Sequence, residues 1–241
     1  MSSTLGFLFP GLGSAEDDLD WLVERLHPDG AVRSRIVETP IDEDAHTVEA
    51  LRDLGEAWRL RDGVEAVRDE GVDAMLWACT SGSFVFGWEG ARRQVDELAT
   101  VAGVPTSSTS LAFVAALREL GIRRVSIAAT YPKPVTDCFV GLLGEAGFEV
   151  LKAESNDIPT AVGAGQVRAD ALEEMVRAGD HPGAEAVVVP DTALHTVREL
   201  PRLEALLGKP LLSANQVTVW EGLRLIGAPA TAGDGTRLFG A

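Results

Sequence analysis

The chain has 241 residues, 46% hydrophobic and 24% charged, enough to bury a substantial core as one large or two small domains. Its 21 basic and 37 acidic side chains give a formal charge of -16, which repels a phosphate backbone over most of the surface and sets nucleic acid aside as a partner. Cys79 and Cys138 form no Cys-x-x-Cys spacing and no histidine cluster lies near them, so neither a disulfide framework nor a zinc site is indicated and a reducing cytoplasm is expected. The opening MSSTLGFLFPGLG lacks the basic region and the long apolar segment of a signal peptide, and no apolar run approaches the roughly 18 residues of a membrane span.

Short runs rich in Val, Ile and Leu alternate along the chain with amphipathic stretches carrying Arg and Glu. In chain order the first half predicts a strand at 5–9, a helix at 17–26, a strand at 34–37, a long helix at 45–69 and a strand at 74–78. Helices at 90–102 and 110–120 complete that half. The second half predicts strands at 125–129, 149–153, 186–189 and 211–213, with helices at 134–146, 168–178, 200–207 and 215–225. Strands this apolar are best buried on both faces, so the fold class is α/β, a parallel sheet covered by helices.

The two halves echo each other. GVDAMLWACTSG, from Gly71, matches GAEAVVVPDTAL, from Gly183: a glycine, an acid two residues on, an alanine, an apolar strand, a polar residue and a threonine. Cys79 thus corresponds to Asp191 and Thr80 to Thr192, and Gly103-Val104-Pro105 is echoed by Gly208-Lys209-Pro210. Such an internal duplication places equivalent strand ends on one cleft, at the carboxyl edges of the sheets. Cys79 and Asp191 are then expected to view one substrate from opposite sides.

A thiolate is a good nucleophile, but an ordinary thiol near pKa ~8.5 is only partly ionised at neutral pH. The turn Thr80-Ser81-Gly82-Ser83 offers N–H groups that favour the anion, and the hydroxyls of Thr80, Ser81 and Thr192 suit a substrate carboxylate. Two alternatives stay open: Cys79 as a small buried hydrophobe and Asp191 as a helix cap. Cys138, in VTDCFVGLL, is read as packing; Tyr131, the single tyrosine, stands at a strand end where its hydroxyl can donate to an anion. Gly11-x-Gly13 carries Glu16 at the third glycine position, and the Thr-Ser-Gly-Ser turn lacks a P-loop lysine, so no nucleotide is expected.

These residues resemble the aspartate/glutamate racemase superfamily and, within it, the maleate cis-trans isomerase and arylmalonate decarboxylase group. The resemblance is carried by Cys79-Thr80-Ser81, Ala129-Thr130-Tyr131, Pro190-Asp191-Thr192 and the run LLGKPLLSANQVTVWEGLRLIG with its closing GTRLF. It implies two pseudo-symmetric lobes, each a four-stranded parallel sheet flanked by helices, with a cofactor-independent and metal-free site in the cleft between them. The lobes are expected at 1–115 and 116–225 with a tail at 226–241, the last helix packing back on the first lobe. It implies that Cys79 is the nucleophile, adding to a double bond so that the central C–C bond can rotate, and that Tyr131 hydrogen-bonds a substrate carboxylate. Asp191 stands where the superfamily's second thiol is found and becomes the acid/base partner. The loop Gly11-Leu12-Gly13-Ser14 replaces an asparagine-bearing loop, with Gly11 and Ser14 expected beside the substrate.

The expected function is therefore isomerisation of a small carboxylate. A decarboxylase or racemase using a Cys/Asp pair is the enzymatic alternative, and a non-catalytic carboxylate-binding protein the alternative from another class. Homo-oligomers are common among such folds, and Trp58, Trp88 and Phe86 are candidates for an interface, whereas Trp220 reads as core.

Overall fold

The computed structural model describes residues 2–11, 13–67 and 70–240. The first half supplies β1 (Ser3–Pro10), α1 (Asp17–Leu26), β2 (Val32–Thr39), α2 (Val48–Leu54), α3 (Ala57–Ala66), β3 (Ala74–Trp77), α4 (Ser81–Phe84), α5 (Gly87–Ala102), β4 (Thr106–Ser108) and α6 (Thr109–Glu119). The second supplies β5 (Arg124–Ala129), α7 (Lys133–Glu145), β6 (Glu149–Ser155), α8 (Ala161–Gly165), α9 (Ala169–Gly179), β7 (Ala186–Val189), α10 (Leu200–Leu207), β8 (Leu211–Ser213) and α11 (Ala214–Leu225). The strands form two parallel four-stranded sheets, ordered β2-β1-β3-β4 and β6-β5-β7-β8. Sequence and structure agree on an α/β fold in which one topology occurs twice.

The repeated residues have matching jobs. Asp73, at the foot of β3, accepts the Thr4 N–H through its carboxylate and donates its own N–H to Thr4 O; Glu185, at the foot of β7, does the same for the Arg123 and Arg124 N–H groups and Arg124 O. Gly103 and Gly208 end α5 and α10 with the same left-handed backbone, φ 68° and ψ 11°, which an L side chain disfavours. The prolines that follow, Pro105 and Pro210, accept the N–H groups of Met75 and Val187. An acid and a Gly-x-Pro thus fix the start of the central strands in each sheet.

β3 and β7 are buried along their whole lengths, as central strands of covered parallel sheets must be. Both strands feed a core around Phe7, Leu19, Val187 and Leu203 that draws on both sheets; β7 also enters one around Phe84, Phe113, Ile127 and Phe139, and Met75 and Trp77 of β3 enter a third with Cys79, Leu8 and Leu60. The last helix, α11, returns to α6, α1, β3 and β4, with Gly222 so close to Leu5 and Leu76 that a Cβ there would come within 3.0 Å and 3.1 Å of them.

The expected single helix at 45–69 is instead two, α2 and α3, broken at Gly55-Glu56; Arg68 and Asp69 lie outside the described residues. The cause is tertiary. Gly55 presses on the turn after β3, where a Cβ would lie 2.1 Å from Gly82 O, and the Gln94 amide donates to Gly55 O and Gly82 O at 2.9 Å each. Two short elements, α4 and α8, and the strand β4 escape the periodicity. Trp220 is half-buried at the edge of the core rather than within it, as are Trp88 and Phe86, while Trp58 is 50% exposed beneath the Arg59 guanidinium. Among the described residues no helix is long and apolar enough to cross a membrane.

Candidate active site

Every strand that matters here ends on one side, and the turns that follow β1, β3 and β7 border a cleft of about 480 Å³, its open mouth included. Cys79 and Asp191 both line it, together with Ser14, Ser81 and Thr192. The duplication therefore does what the register of the two halves predicts: it sets a thiol and a carboxylate in one cavity.

Cys79 is only 3% exposed. The Gly82 N–H donates to its Sγ at 3.3 Å, and Ser81 Oγ lies 3.7 Å away. Gly82 is required for this approach, since a Cβ would stand 3.2 Å from the sulfur and 3.0 Å from the Trp77 ring. The sequence predicts that this turn depresses the thiol pKa, and here the structure corrects it. Burial pushes the Cys79 thiol up to about 11, and the Asp191 charge adds to the rise, while the Gly82 and Ser81 hydrogen bonds only partly oppose it. Two weak donors do not outweigh the loss of water.

Asp191 is equally buried and fully engaged. The Thr130 hydroxyl donates to its Oδ2 and the Ala193 N–H to its Oδ1 at 2.9 Å, so both carboxylate oxygens act as acceptors. Tyr131, 1% exposed, donates its hydroxyl to Pro190 O at 2.7 Å. Burial, with the charges of Asp191 and Cys79 beside it, holds the phenol well above its ordinary range, so it is a neutral donor. Its ring is gripped edge-on by Phe84 and His46, at 5.7 Å and 4.8 Å between centroids.

Three expected contacts are not made. Tyr131 is absent from the cleft lining, its hydroxyl being spent on Pro190 O. Gly11 lies outside the cleft lining: its N–H is spent on Thr39 O, at 3.1 Å, and it serves the turn with φ +59°. Thr80 is fully buried behind the wall, its carbonyl accepting the Ser110 hydroxyl at 2.8 Å and its own Oγ1 left without a partner. Ser14 does line the cleft, but its N–H and that of Gly13 already donate to the Glu16 carboxylate, so only its hydroxyl is available to a ligand.

The opposite wall, which sequence reading does not anticipate, is built by the segment between β2 and α2 and by α2 itself: Ile41, Glu43, Asp44, Ala45, His46 and, further on, Leu51 and Leu54. Buried Arg59 anchors it through Asp42, Asp53 and Pro40 O. Asp44 and His46 then reach across to the second lobe. The Asp44 carboxylate accepts the Ala161 and Val162 N–H groups at 2.7 Å and 3.1 Å, and His46 bonds Pro159 O through its backbone N–H and Ile158 O through Nδ1. The only hint in the sequence was a lone histidine in an acidic run just ahead of a capped helix, Thr47 accepting the Ala50 N–H.

Asp17, Asp18 and His195 approach one another elsewhere, but Asp18 is already met by Arg198 and by the Thr196 and Val197 N–H groups, so its carboxylate is taken up by the protein itself. His195, which offers no visible partner in the sequence, has these two.

Comparison with known proteins agrees with this geometry. Residues 57–239 match the family model for arylmalonate decarboxylase. A maleate isomerase of Pseudomonas putida is 30% identical over 183 residues, 72% of each chain, and one of Alcaligenes faecalis is 32% identical over 127 residues, 52% of this chain and about half of that enzyme, 49%. The fold superposes on a Nocardia farcinica maleate cis-trans isomerase with a TM-score of 0.90 at 20% identity, covering 98% of this chain and 97% of the other. Matched well beyond half its length, through both the strand end that bears Cys79 and the one that bears Asp191, the chain belongs to the arylmalonate decarboxylase family, in the group it shares with the maleate isomerases.

Proposed function

We propose that this protein is a cofactor-independent isomerase of a small unsaturated carboxylate, working by reversible thiol addition as a maleate isomerase does. The carrying observation is that Cys79 and Asp191 line one cleft from equivalent strand ends. Addition chemistry is supported by a structure of a cysteine-to-serine variant of the Nocardia farcinica isomerase, which holds a covalently bound succinylcysteine intermediate.

In this scheme Cys79 Sγ adds to one alkene carbon while its proton passes to Asp191, and the π electrons move into the adjoining carboxylate. The hydroxyls of Ser81, Thr192 and Ser14, with Tyr131 turning from Pro190 O, stabilise that charge as an oxyanion pocket does. The central bond, now single, rotates; the C–S bond then breaks, the double bond re-forms and the proton returns to sulfur. Because burial keeps Cys79 protonated at neutral pH, a base is needed, and the Asp191 carboxylate supplies it. The two free cysteines suit a reducing cytoplasm.

The test is to incubate the protein with maleate and a panel of cis-unsaturated acids and follow the trans products, with Cys79→Ala as control. Isomerisation lost in the control supports the proposal. Release of CO₂ from an aryl-substituted malonate, with solvent hydrogen placed on carbon, would replace it with the decarboxylase that the family model favours. Binding without turnover of any acid would leave a carboxylate-binding protein.

A further inference from the structure

The cleft has a charge imbalance that Cys79, Asp191 and the hydroxyls leave unresolved. Its walls carry three carboxylates, Glu43, Asp44 and Asp191, and among the described lining residues there is neither lysine nor arginine. A substrate carboxylate entering there meets like charge and uncharged hydroxyls. The side chain able to change this is His46, which lines the cleft and is 6% exposed.

Its ring is held in one orientation. Nδ1 lies 2.8 Å from Ile158 O; a carbonyl can only accept, so Nδ1 carries a hydrogen. The Tyr131 ring meets the imidazole edge-on, at 80° between planes, and the His46 backbone is tied to Pro159 O at 2.7 Å. Nε2 has no partner among the described residues and is the atom left for a ligand. The charged and titratable groups around the ring are Glu43 and Asp44 on its own segment, Cys79 and Asp191 in the same cleft, Tyr131 against its edge and Asp157 beside Ile158. All are acids, so none opposes a positive imidazole.

We propose that His46 is the substrate-carboxylate receptor of this site: Nε2 takes up a proton from solvent as the substrate binds and, keeping it, hydrogen-bonds the carboxylate, while Nδ1 stays on Ile158 O. This assignment rests on the reading of the cleft as a site for a small carboxylate. It names the recognition element that the cation-free lining lacks, and it makes binding consume a proton.

The experiment is calorimetric titration of the full chain with succinate, which has no double bond for Cys79 to attack, at about pH 6 and about pH 8 in buffers of different ionisation heat. The wild type is expected to bind about tenfold or more tightly at the lower pH, with proton uptake at the higher, because only the protonated ring is competent. His46→Asn, whose amide can keep the bond to Ile158 O, is expected to bind weakly at both pH values with no uptake. Equal affinity and uptake in the two proteins, binding without uptake in the wild type, or no succinate binding at either pH overturns the proposal. Should the variant not fold, ¹⁵N spectra of the wild type decide: Nε2 gains a proton on adding succinate, and unchanged His46 signals overturn it. Proton-linked succinate binding that depends on His46, with every unsaturated acid left unconverted, would retire the isomerase assignment and keep this one. Isomerisation with a wild-type profile in His46→Asn would do the reverse.

Discussion

β3 and β7 are each four residues long, each buried throughout, and each ends at the same cleft, yet the groups that follow them live in opposite electrostatic conditions. After β3, the Cys79 thiol has one N–H donor at 3.3 Å and a hydroxyl at 3.7 Å, too little to offset burial. After β7, the Asp191 carboxylate has the Thr130 hydroxyl and the Ala193 N–H. One position in a repeated topology therefore holds a thiol whose proton is kept in place by burial, and its counterpart holds a carboxylate with two hydrogen-bond donors. A two-thiol site places the same chemistry on both faces of a substrate; here the two strand ends carry different groups, which under the proposed scheme serve as nucleophile and base.

The sharpest way to break the comparison is to remove the nucleophile. Cys79→Ala is expected to lower kcat at least about a thousandfold while leaving carboxylate affinity within a few-fold, checked by steady-state rates and calorimetry. Next, Asp191→Asn is expected to cost about 10²–10⁴ in kcat if it is the base. Since the Asp191 charge raises the thiol, the same variant lowers the midpoint of Cys79 alkylation from about 11, read from iodoacetamide rates against pH. A midpoint that stays put would mean that the carboxylate and the sulfur are electrostatically independent.

Smaller effects probe the supports. Gly55→Ala drives a Cβ into Gly82 O and is expected to destabilise the fold by about 1–3 kcal/mol and to slow alkylation of the displaced thiol, measured by urea unfolding and trapping rates. Thr130→Val leaves the buried Asp191 short of a donor, for about 1–3 kcal/mol in the same unfolding assay. The mildest is at the amino end of β7, away from the cleft. Glu185 is held at about 2 by the Arg123 and Arg124 N–H groups, so its contribution is present above its ordinary value of 4.5 and is lost as pH falls from there toward 2. Glu185→Gln is expected to be less stable near neutrality and to show a flatter loss over that acid window, followed by circular dichroism.

Much of this was legible in the residues. The helices at 17–26 and 200–207 and the strands at 186–189 and 211–213 agree to the residue with the structure, because apolar periodicity and burial coincide there. β4 was hidden because its residues, Thr106, Ser107 and Ser108, are all hydroxylated; Ser108 doubles as the cap of α6 and pairing with β3 makes the segment a strand. The break at Gly55 depends on a carbonyl far away in sequence, and no local pattern contains it. In the site, Cys79 and Asp191 were found through the duplication, while His46 has no counterpart in the second half and so no echo to betray it. Thr80 shows the converse error: adjacency to a strand end says nothing about which side of the wall a hydroxyl occupies.

In the first turn of α11 the Asn215 amide donates to Ala15 O in one half and Thr192 O in the other, at 3.2 Å and 3.0 Å; Thr218 then shares a hydrogen bond with Thr109 at 2.6 Å. Either half made on its own would therefore be unfinished: the first would show bare hydrocarbon at Leu5 and Leu76, and the second would trail a helix whose face toward α6, α1, β3 and β4 has nothing to cover. Shortening the chain ahead of residue 214 would unroof the one lobe and unclasp the other in a single cut.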